Sequence, residues 1–180
     1  RAVAVIEAAA AQAGWGTPLP AIDGLRTGRG FAYAQYETAY TYVAIVAEVT
    51  IDPGSGAVRA TRVVVAHDCG LIINPDGVRN QVEGNVIQGI SRSLKEEITW
   101  DDREVTSLTW ETYPILTFPE VPEIEIVLID RPDEAPWGAG EPAICPVTAA
   151  IGNAIFAATG ARPRDVPFIP TRLLAAMRAG

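Results

Sequence analysis

The feature that most constrains the fold is a pair of apolar, β-branched stretches joined by a tight turn. The first stretch runs from Tyr40 to Ile51 and the second from Val58 to Ala66. Valine, isoleucine and threonine favour pleated strands. Between them, the run Asp52-Pro53-Gly54-Ser55-Gly56 contains residue types that favour turn conformations. The sequence therefore predicts an antiparallel β-hairpin across both stretches.

The chain ahead of this hairpin divides into a helix and a loop. Residues 2–13 are good helix formers, and Gly14 follows them as a helix-stopping residue. The next stretch, up to Gly30, contains many glycines and prolines, which predicts a linker or a covering loop. We therefore expect an N-terminal helix and linker over residues 1–30, and a main domain over residues 31–180.

A long helix is predicted after residue 74. Asn74 is a residue type that caps helices, and Pro75 suits the first helical position. About twenty helical residues should follow, ending near Glu96. Apolar residues recur at every fourth position and predict a face that packs in a core: Val78, Val82, Val86, Ile90 and Leu94.

A polar row lies beside that apolar face, and two glycines interrupt the helix. The row consists of Gln81, Asn85, Gln88 and Arg92. Gly84 and Gly89 should each cost about 1 kcal/mol relative to alanine in a helix interior. Something should therefore come close to the helix backbone at these positions, either another packed element or a ligand.

The other predicted elements are of mixed type. They are a second hairpin over residues 98–109, a strand over 124–129, a helix from near Pro146 to Gly160, and a last helix over 171–178. Hairpins and packed helices without a regular βαβ repeat are typical of the α+β class. We therefore expect an α+β fold.

Charge and composition exclude several kinds of partner. The formal net charge is −8, with acidic and basic residues interspersed, so the chain lacks the basic surface that nucleic acid requires. No apolar run reaches membrane-spanning length, so no membrane-spanning segment is expected. Cys69 and Cys145 lie too far apart in the sequence to form a zinc or iron–sulfur motif, so free thiols in a reducing compartment are expected.

A metal site made of protein side chains is not expected either. His67 is the single histidine, and we assign it a structural role. The expected location is the cytoplasm, with the periplasm left open. Because the chain begins at Arg1 rather than at methionine, we expect it to be a fragment.

Glu141 is the residue that most directly indicates chemistry. It follows the run Pro136-Trp137-Gly138-Ala139-Gly140 and precedes Pro142. The nearby glycines would let a substrate approach the backbone, and the N-terminus of the helix that follows would favour a carboxylate. These properties suit a general base. A solvated loop glutamate is the alternative, and this short run by itself leaves both interpretations open.

Six short runs, in this order, resemble the molybdenum hydroxylase family, which includes xanthine dehydrogenase, aldehyde oxidoreductase and isoquinoline 1-oxidoreductase. They are Asp68-Cys69-Gly70, Ile73-Asn74-Pro75, Gln81-Val82-Glu83-Gly84, Ile87-Gln88-Gly89, the loop at residues 136–142 and the run at residues 153–160. Each run alone is unspecific, but their combination resembles the C-terminal part of that family's molybdopterin-binding subunit.

The resemblance implies a molybdenum cofactor-binding domain of α+β type, with mixed β-hairpins and packed helices. It also implies an oxidoreductase of the xanthine dehydrogenase and aldehyde oxidase type, which hydroxylates an N-heteroaromatic or an aldehyde with oxygen from water. By resemblance, Glu141 is the catalytic general base, and Gln81 binds the pterin cofactor through its amide, with Gly140 beside it. The cofactor is a molybdenum–molybdopterin group, and iron–sulfur clusters are expected on a partner subunit.

The resemblance is incomplete in one respect. Two glycine-rich cofactor loops of the family have no counterpart in this sequence. The chain is therefore expected to share the cofactor with the remainder of a longer subunit and to be inactive alone. The alternative is a non-catalytic scaffold or interaction module with the same fold.

Overall fold

The computed structural model describes residues 1–179, which form one four-stranded mixed sheet with helices packed on it. The strands are β1 (Arg26–Tyr36), β2 (Thr41–Ile51), β3 (Val58–Asp68) and β4 (Glu123–Leu128), in the spatial order β1-β2-β3-β4. The first three strands pair antiparallel, and β4 pairs parallel to β3. The predicted β2–β3 hairpin is confirmed, and its turn is closed by the carboxylate of Asp52, which accepts from the Gly54 N–H at 2.8 Å.

Four α-helices and two short 3₁₀ helices complete the chain. The α-helices are α1 (Ala2–Gln12), α2 (Pro75–Leu94), α3 (Val147–Thr159) and α4 (Pro170–Ala179), and the 3₁₀ helices are Phe118–Glu120 and Pro142–Ile144. The α+β class is confirmed by this arrangement. All four predicted helices are present, with boundaries that differ by at most a few residues.

The two faces of the sheet are both covered, which explains why β2 reads as a continuous apolar run rather than an alternating one. One face, with Val43, Ile45 and Val65, packs against α2 and α3. The other face, with Val46 and Val64, packs against α1. The division of the chain at residue 30 remains a prediction.

The interpretation of residues 26–30 as part of a linker was wrong, because they belong to β1. A Cβ added to Gly28 would lie 2.1 Å from the carbonyl oxygen of Ala154, and one on Gly30 would lie 2.1 Å from that of Ala150. Helix α3 thus rests directly on the strand backbone. These glycines serve close packing, whereas their presence in the sequence favoured a loop.

Helix α2 begins as predicted and ends two residues earlier than expected. The Asn74 side chain accepts from the Gly77 N–H at 3.0 Å and caps the helix. A Cβ on Gly89 would lie 2.8 Å from the side chain of Val147, so close packing explains this glycine. Gly84 is exposed, with nothing within 4 Å of its Cβ position.

Two predictions about the second half of the chain need correction. The second hairpin over residues 98–109 is reduced to one isolated bridge between Trp100 and Val105. The helical stretch Pro142–Thr159 is long and apolar enough by composition to span a membrane, with a mean hydropathy of 1.4. Its inward residues, including Ile151 and Ile155, are fully buried against the sheet, so packing within the domain explains its apolar character.

Candidate active site

The predicted catalytic glutamate lies at the end of an irregular loop, residues 135–141, which we call the glutamate loop. Glu141 is exposed and is followed directly by the 3₁₀ helix Pro142–Ile144, whose first two residues are buried. Helix α3 starts only at Val147, so its N-terminus is further from Glu141 than the sequence led us to expect. The buried 3₁₀ turn anchors the loop at its C-terminal end.

The hairpin between β1 and β2 holds one side of the glutamate loop. Tyr36, the last residue of β1, donates its hydroxyl to Oε2 of Glu141. The rings of Tyr40 and Trp137 stack with centroids 4.2 Å apart and planes 13° from parallel. The Thr41 hydroxyl donates to the carbonyl oxygen of Gly138 at 2.9 Å. One hairpin therefore contacts the loop at three successive points.

Helix α2 holds the same loop through Asn85. The Asn85 amide donates to the carbonyl oxygen of Gly140 at 2.7 Å, and its side-chain oxygen accepts from the Ile144 N–H at 3.1 Å. These two bonds bracket Glu141 in the sequence. The sequence reasoning placed Asn85 in a polar row and missed this role. The signal available was its position next to the core residue Val86, where asparagine is a poor helix former.

The end of β3 forms the floor under the loop. The carbonyl oxygen of Cys69 accepts from the Trp137 N–H at 2.9 Å. Gly70 has a φ of +77°, and a Cβ there would lie 2.0 Å from the carbonyl oxygen of Ala135. Only glycine fits this position, because both the backbone conformation and the contact exclude a side chain. The Asp68-Cys69-Gly70 run therefore positions the glutamate loop.

Asp68 is fixed below this floor by two arginines. Its oxygens pair with Arg1 at 2.7 Å and with Arg131 at 3.0 Å, and one also accepts from the Gly70 N–H. Burial alone would raise the pKa of Asp68, but the hydrogen bonds from Arg1, Gly70 and Arg131 outweigh it and lower the pKa. The carboxylate therefore stays charged and keeps the end of β3 in place.

His67 and the cysteines have the non-catalytic surroundings that the sequence indicated. His67 is fully buried, and neither ring nitrogen has a hydrogen-bond partner among the described residues. Burial lowers its pKa to about 4, so the ring is neutral near pH 7. Cys69 is buried and Cys145 exposed, and both are free thiols.

The structure brings Gln81, Gly140 and Glu141 together. A Cβ on Gly140 would lie 3.7 Å from the Gln81 side-chain nitrogen, so the amide stands beside the backbone next to Glu141. Gln81 and Gly140 also line a cleft of about 500 Å³, together with Trp137. These residues come from α2 and from the glutamate loop, which are far apart in the sequence.

The cleft suits a polar ring system better than a directly bound metal ion. The Gln81 side chain is exposed and has no hydrogen-bond partner within residues 1–179, so its amide is available to donate and accept. Over the same residues, no group of three or more histidine, cysteine, aspartate or glutamate side chains is placed to hold a metal. The residues present fit a pterin, whose ring edges offer both donors and acceptors.

Comparison with known families gives one match that covers most of the chain. The sequence profile of the molybdopterin cofactor-binding domain matches residues 6–122. The matched region includes β1 to β3, helix α2 and Gln81, and it ends before β4 and the glutamate loop.

Curated relatives extend the similarity to the whole chain. The chain is 44% identical to a nicotinate dehydrogenase polypeptide of Pseudomonas putida, over 98% of this chain and 16% of the relative. It is 33% identical to a membrane-bound aldehyde dehydrogenase [pyrroloquinoline-quinone] of Gluconacetobacter polyoxogenes, over 100% of this chain and 23% of the relative. The chain thus spans 16% to 23% of the length of these relatives.

A solved structure agrees with the fold. Quinoline 2-oxidoreductase from Pseudomonas putida 86 superposes with a TM-score of 0.72 and 30% sequence identity, over 77% of this chain and 19% of that chain. The arrangement of sheet and helices described above is therefore one that occurs in a solved oxidoreductase.

Proposed function

We propose, since this chain belongs to the molybdenum hydroxylase family and carries part of its molybdopterin cofactor-binding domain, that it supplies the catalytic base of a molybdenum-dependent hydroxylase. The family resemblance seen in the sequence is confirmed. The proposed reaction is hydroxylation of an N-heteroaromatic or aldehyde substrate with oxygen from water. The names of the relatives support this substrate range, because they include nicotinate and quinoline enzymes and an aldehyde enzyme.

The observation that carries the proposal is the placement of Glu141. Its carboxylate is exposed, accepts a hydrogen bond from Tyr36, and directly follows Gly140, which lies beside the free amide of Gln81. A general base needs a carboxylate that is accessible to the reacting molecule and held in one place. Asn85 and the β1–β2 hairpin provide that restraint through several independent contacts.

Each residue of the site has a separate task in this reaction. The molybdenum cofactor, when bound, supplies the two-electron oxidation that the substrate carbon undergoes. Gln81 would hydrogen-bond the pterin through its amide, and the backbone at Gly140 would allow a close approach because it has no side chain. Glu141 takes up a proton at Oε1 as the water that supplies the oxygen is activated, since Oε2 is engaged by Tyr36.

The rest of the enzyme lies on partners of this segment. The remainder of the molybdopterin-binding subunit would complete the cofactor site, and an iron–sulfur subunit would remove electrons after each turnover. The isolated chain is then inactive. We place the enzyme in the cytoplasm, with the periplasm as the alternative.

Replacing Glu141 with glutamine in the complete enzyme tests the catalytic base. Glutamine keeps the size of the side chain but cannot take up a proton, so turnover should fall by about 10²–10⁴ or more. Rapid mixing of the oxidised enzyme with excess substrate measures the affected step directly. Glu83→Gln, an exposed carboxylate on α2, is the matched control and should leave the rate unchanged. Wild-type reduction rates in Glu141→Gln would remove Glu141 from the mechanism.

Cofactor content separates this proposal from a non-catalytic scaffold. The protein purified with its native partners should contain molybdenum and a pterin. A stable complex without either would favour the scaffold. Pyrroloquinoline quinone in place of the pterin would instead favour the cofactor named for the Gluconacetobacter polyoxogenes relative.

A further inference from the structure

Tyr36 occupies a position that the backbone fixes independently of its side chain. It is the last residue of β1 and pairs with Thr41 across the hairpin. The turn that follows contains Glu37 with a φ of +43° and Thr38 with a φ of +68°, a region that non-glycine residues rarely adopt. Such conformations persist only where surrounding contacts enforce them. The direction in which Tyr36 leaves the strand is therefore set by the hairpin.

The same hairpin is tied to the glutamate loop at two further points. Tyr40 stacks on Trp137, and Thr41 donates to the carbonyl oxygen of Gly138. Relative movement of the hairpin and the loop would have to break both contacts. The hydroxyl of Tyr36 and the carboxylate of Glu141 are therefore held facing each other by contacts that do not involve either group.

We infer that Tyr36 is a positioning residue for Glu141: its hydroxyl holds Oε2 and leaves Oε1 as the oxygen that accepts the proton. This inference rests on the proposed function. A glutamate side chain has several rotatable bonds, and an exposed one samples many conformations unless a partner restrains it. The hydrogen bond from Tyr36 selects the conformation in which the carboxylate is turned toward the hairpin. Tyr36 itself need not contact the substrate.

The ionisation of Tyr36 is consistent with a permanent donor. Its hydrogen bond to Glu141 raises the pKa of Tyr36 to about 12. The phenol therefore keeps its proton at every pH at which such an enzyme works. It cannot compete with Glu141 as the proton acceptor, and the hydrogen bond is present throughout the working range.

The test is Tyr36→Phe in the complete enzyme, with Tyr33→Phe as the matched control. Both tyrosines lie on β1, but the Tyr33 hydroxyl donates to Gln35 instead of Glu141. Loss of one hydrogen bond to a charged group should lower kcat by about 10-fold in Tyr36→Phe. The KM and the molybdenum content should stay within about 2-fold of wild type, because uniform binding is untouched. Tyr33→Phe should match wild type in all three.

Two further measurements exclude a merely structural role. In a Glu141→Gln background, Tyr36→Phe should cause no additional loss, because the group that it positions has already been disabled. A crystal structure of the Tyr36→Phe enzyme should show the Glu141 side chain in a different or a second conformation, while the loop backbone is unchanged.

The outcomes separate this inference from the proposed function. If Glu141→Gln is inactive but Tyr36→Phe has wild-type kcat, the positioning role of Tyr36 is wrong and the proposed function stands. An effect of Tyr36→Phe that falls on KM or on molybdenum content, or that is fully additive with Glu141→Gln, also overturns the inference. If Glu141→Gln is fully active, both are wrong.

Discussion

Two irregular regions of this chain look alike in sequence and differ in structure. The glutamate loop and the segment at residues 98–118 are both punctuated by proline or charged turns and both contain tryptophan. The glutamate loop is bonded to β3, to α2 and to the β1–β2 hairpin. The other segment has mostly local hydrogen bonds, and its large apolar side chains stay in solvent. The most exposed are Trp100 at 74%, Leu108 at 75%, Trp110 at 74% and Phe118 at 97%.

The difference shows what orders an irregular loop. In the glutamate loop, contacts come from elements that are distant in the sequence, such as Asn85 and Thr41, so the loop is held as firmly as the sheet and helix that supply them. In residues 98–118, bonds such as Thr99 to Thr106 and Asp101 to Arg103 join near neighbours. Local bonds shape a turn but do not fix it to the domain.

Acid should loosen the strand that carries the glutamate loop, and this is the largest effect we expect. Burial lowers the pKa of His67 to about 4, from an ordinary value of 6.5, so the unfolded chain binds this proton more readily than the folded one. Stability is then complete above about pH 6.5 and is lost as the pH falls toward 4. The loss should reach about 3 kcal/mol.

Urea denaturation at several pH values measures this effect, and His67→Phe is the matched variant. His67 is the only histidine, and both its nitrogens are unpartnered, so a phenyl ring removes the titration without breaking a hydrogen bond. The slope of stability against pH between 6.5 and 4 should flatten in the variant. An unchanged slope would show that another group is responsible.

Removing the Asn85 side chain should release the glutamate loop from α2. Asn85→Ala leaves the Gly140 carbonyl and the Ile144 N–H without their protein partners, which should cost about 1–3 kcal/mol. Turnover of the complete enzyme should fall as well, because both bonds flank Glu141. Gln88→Ala, an exposed change on the same helix, is the control and should alter neither stability nor turnover. Equal stability and turnover in the two variants would contradict the role given to Asn85.

The smallest effect is expected in residues 98–118, from a matched pair of tryptophans. Trp110→Ser should change the free energy of unfolding by less than about 0.5 kcal/mol, because the side chain is exposed. Trp137→Ser should cost about 0.5–1.5 kcal/mol more, since it removes the stack on Tyr40. Thermal unfolding of both variants decides the comparison. A larger loss from Trp110→Ser would mean that the two regions do not differ as described.

Much of the fold could be predicted because its signals are local. The β2–β3 hairpin follows from β-branched residues around a turn, and the start of α2 follows from Asn74 and Pro75. Strand β1 could not be predicted in full, since Gly28 and Gly30 favour a loop unless α3 is known to lie on them. The second hairpin failed for the opposite reason: its strand-like residues have no sheet to join, and one bridge is all that forms.

The sequence by itself determined the candidate residues Gln81, Gly140 and Glu141, because they stand in runs whose order resembles one family. Only the tertiary structure decided that Gln81 lies beside Gly140 and which side chains restrain Glu141. Asn85 and Tyr36 carry no motif of their own, and their partners lie 55 to 105 residues away in the sequence. A hydrogen bond over such a separation depends on how the sheet and helices pack, which no local pattern contains.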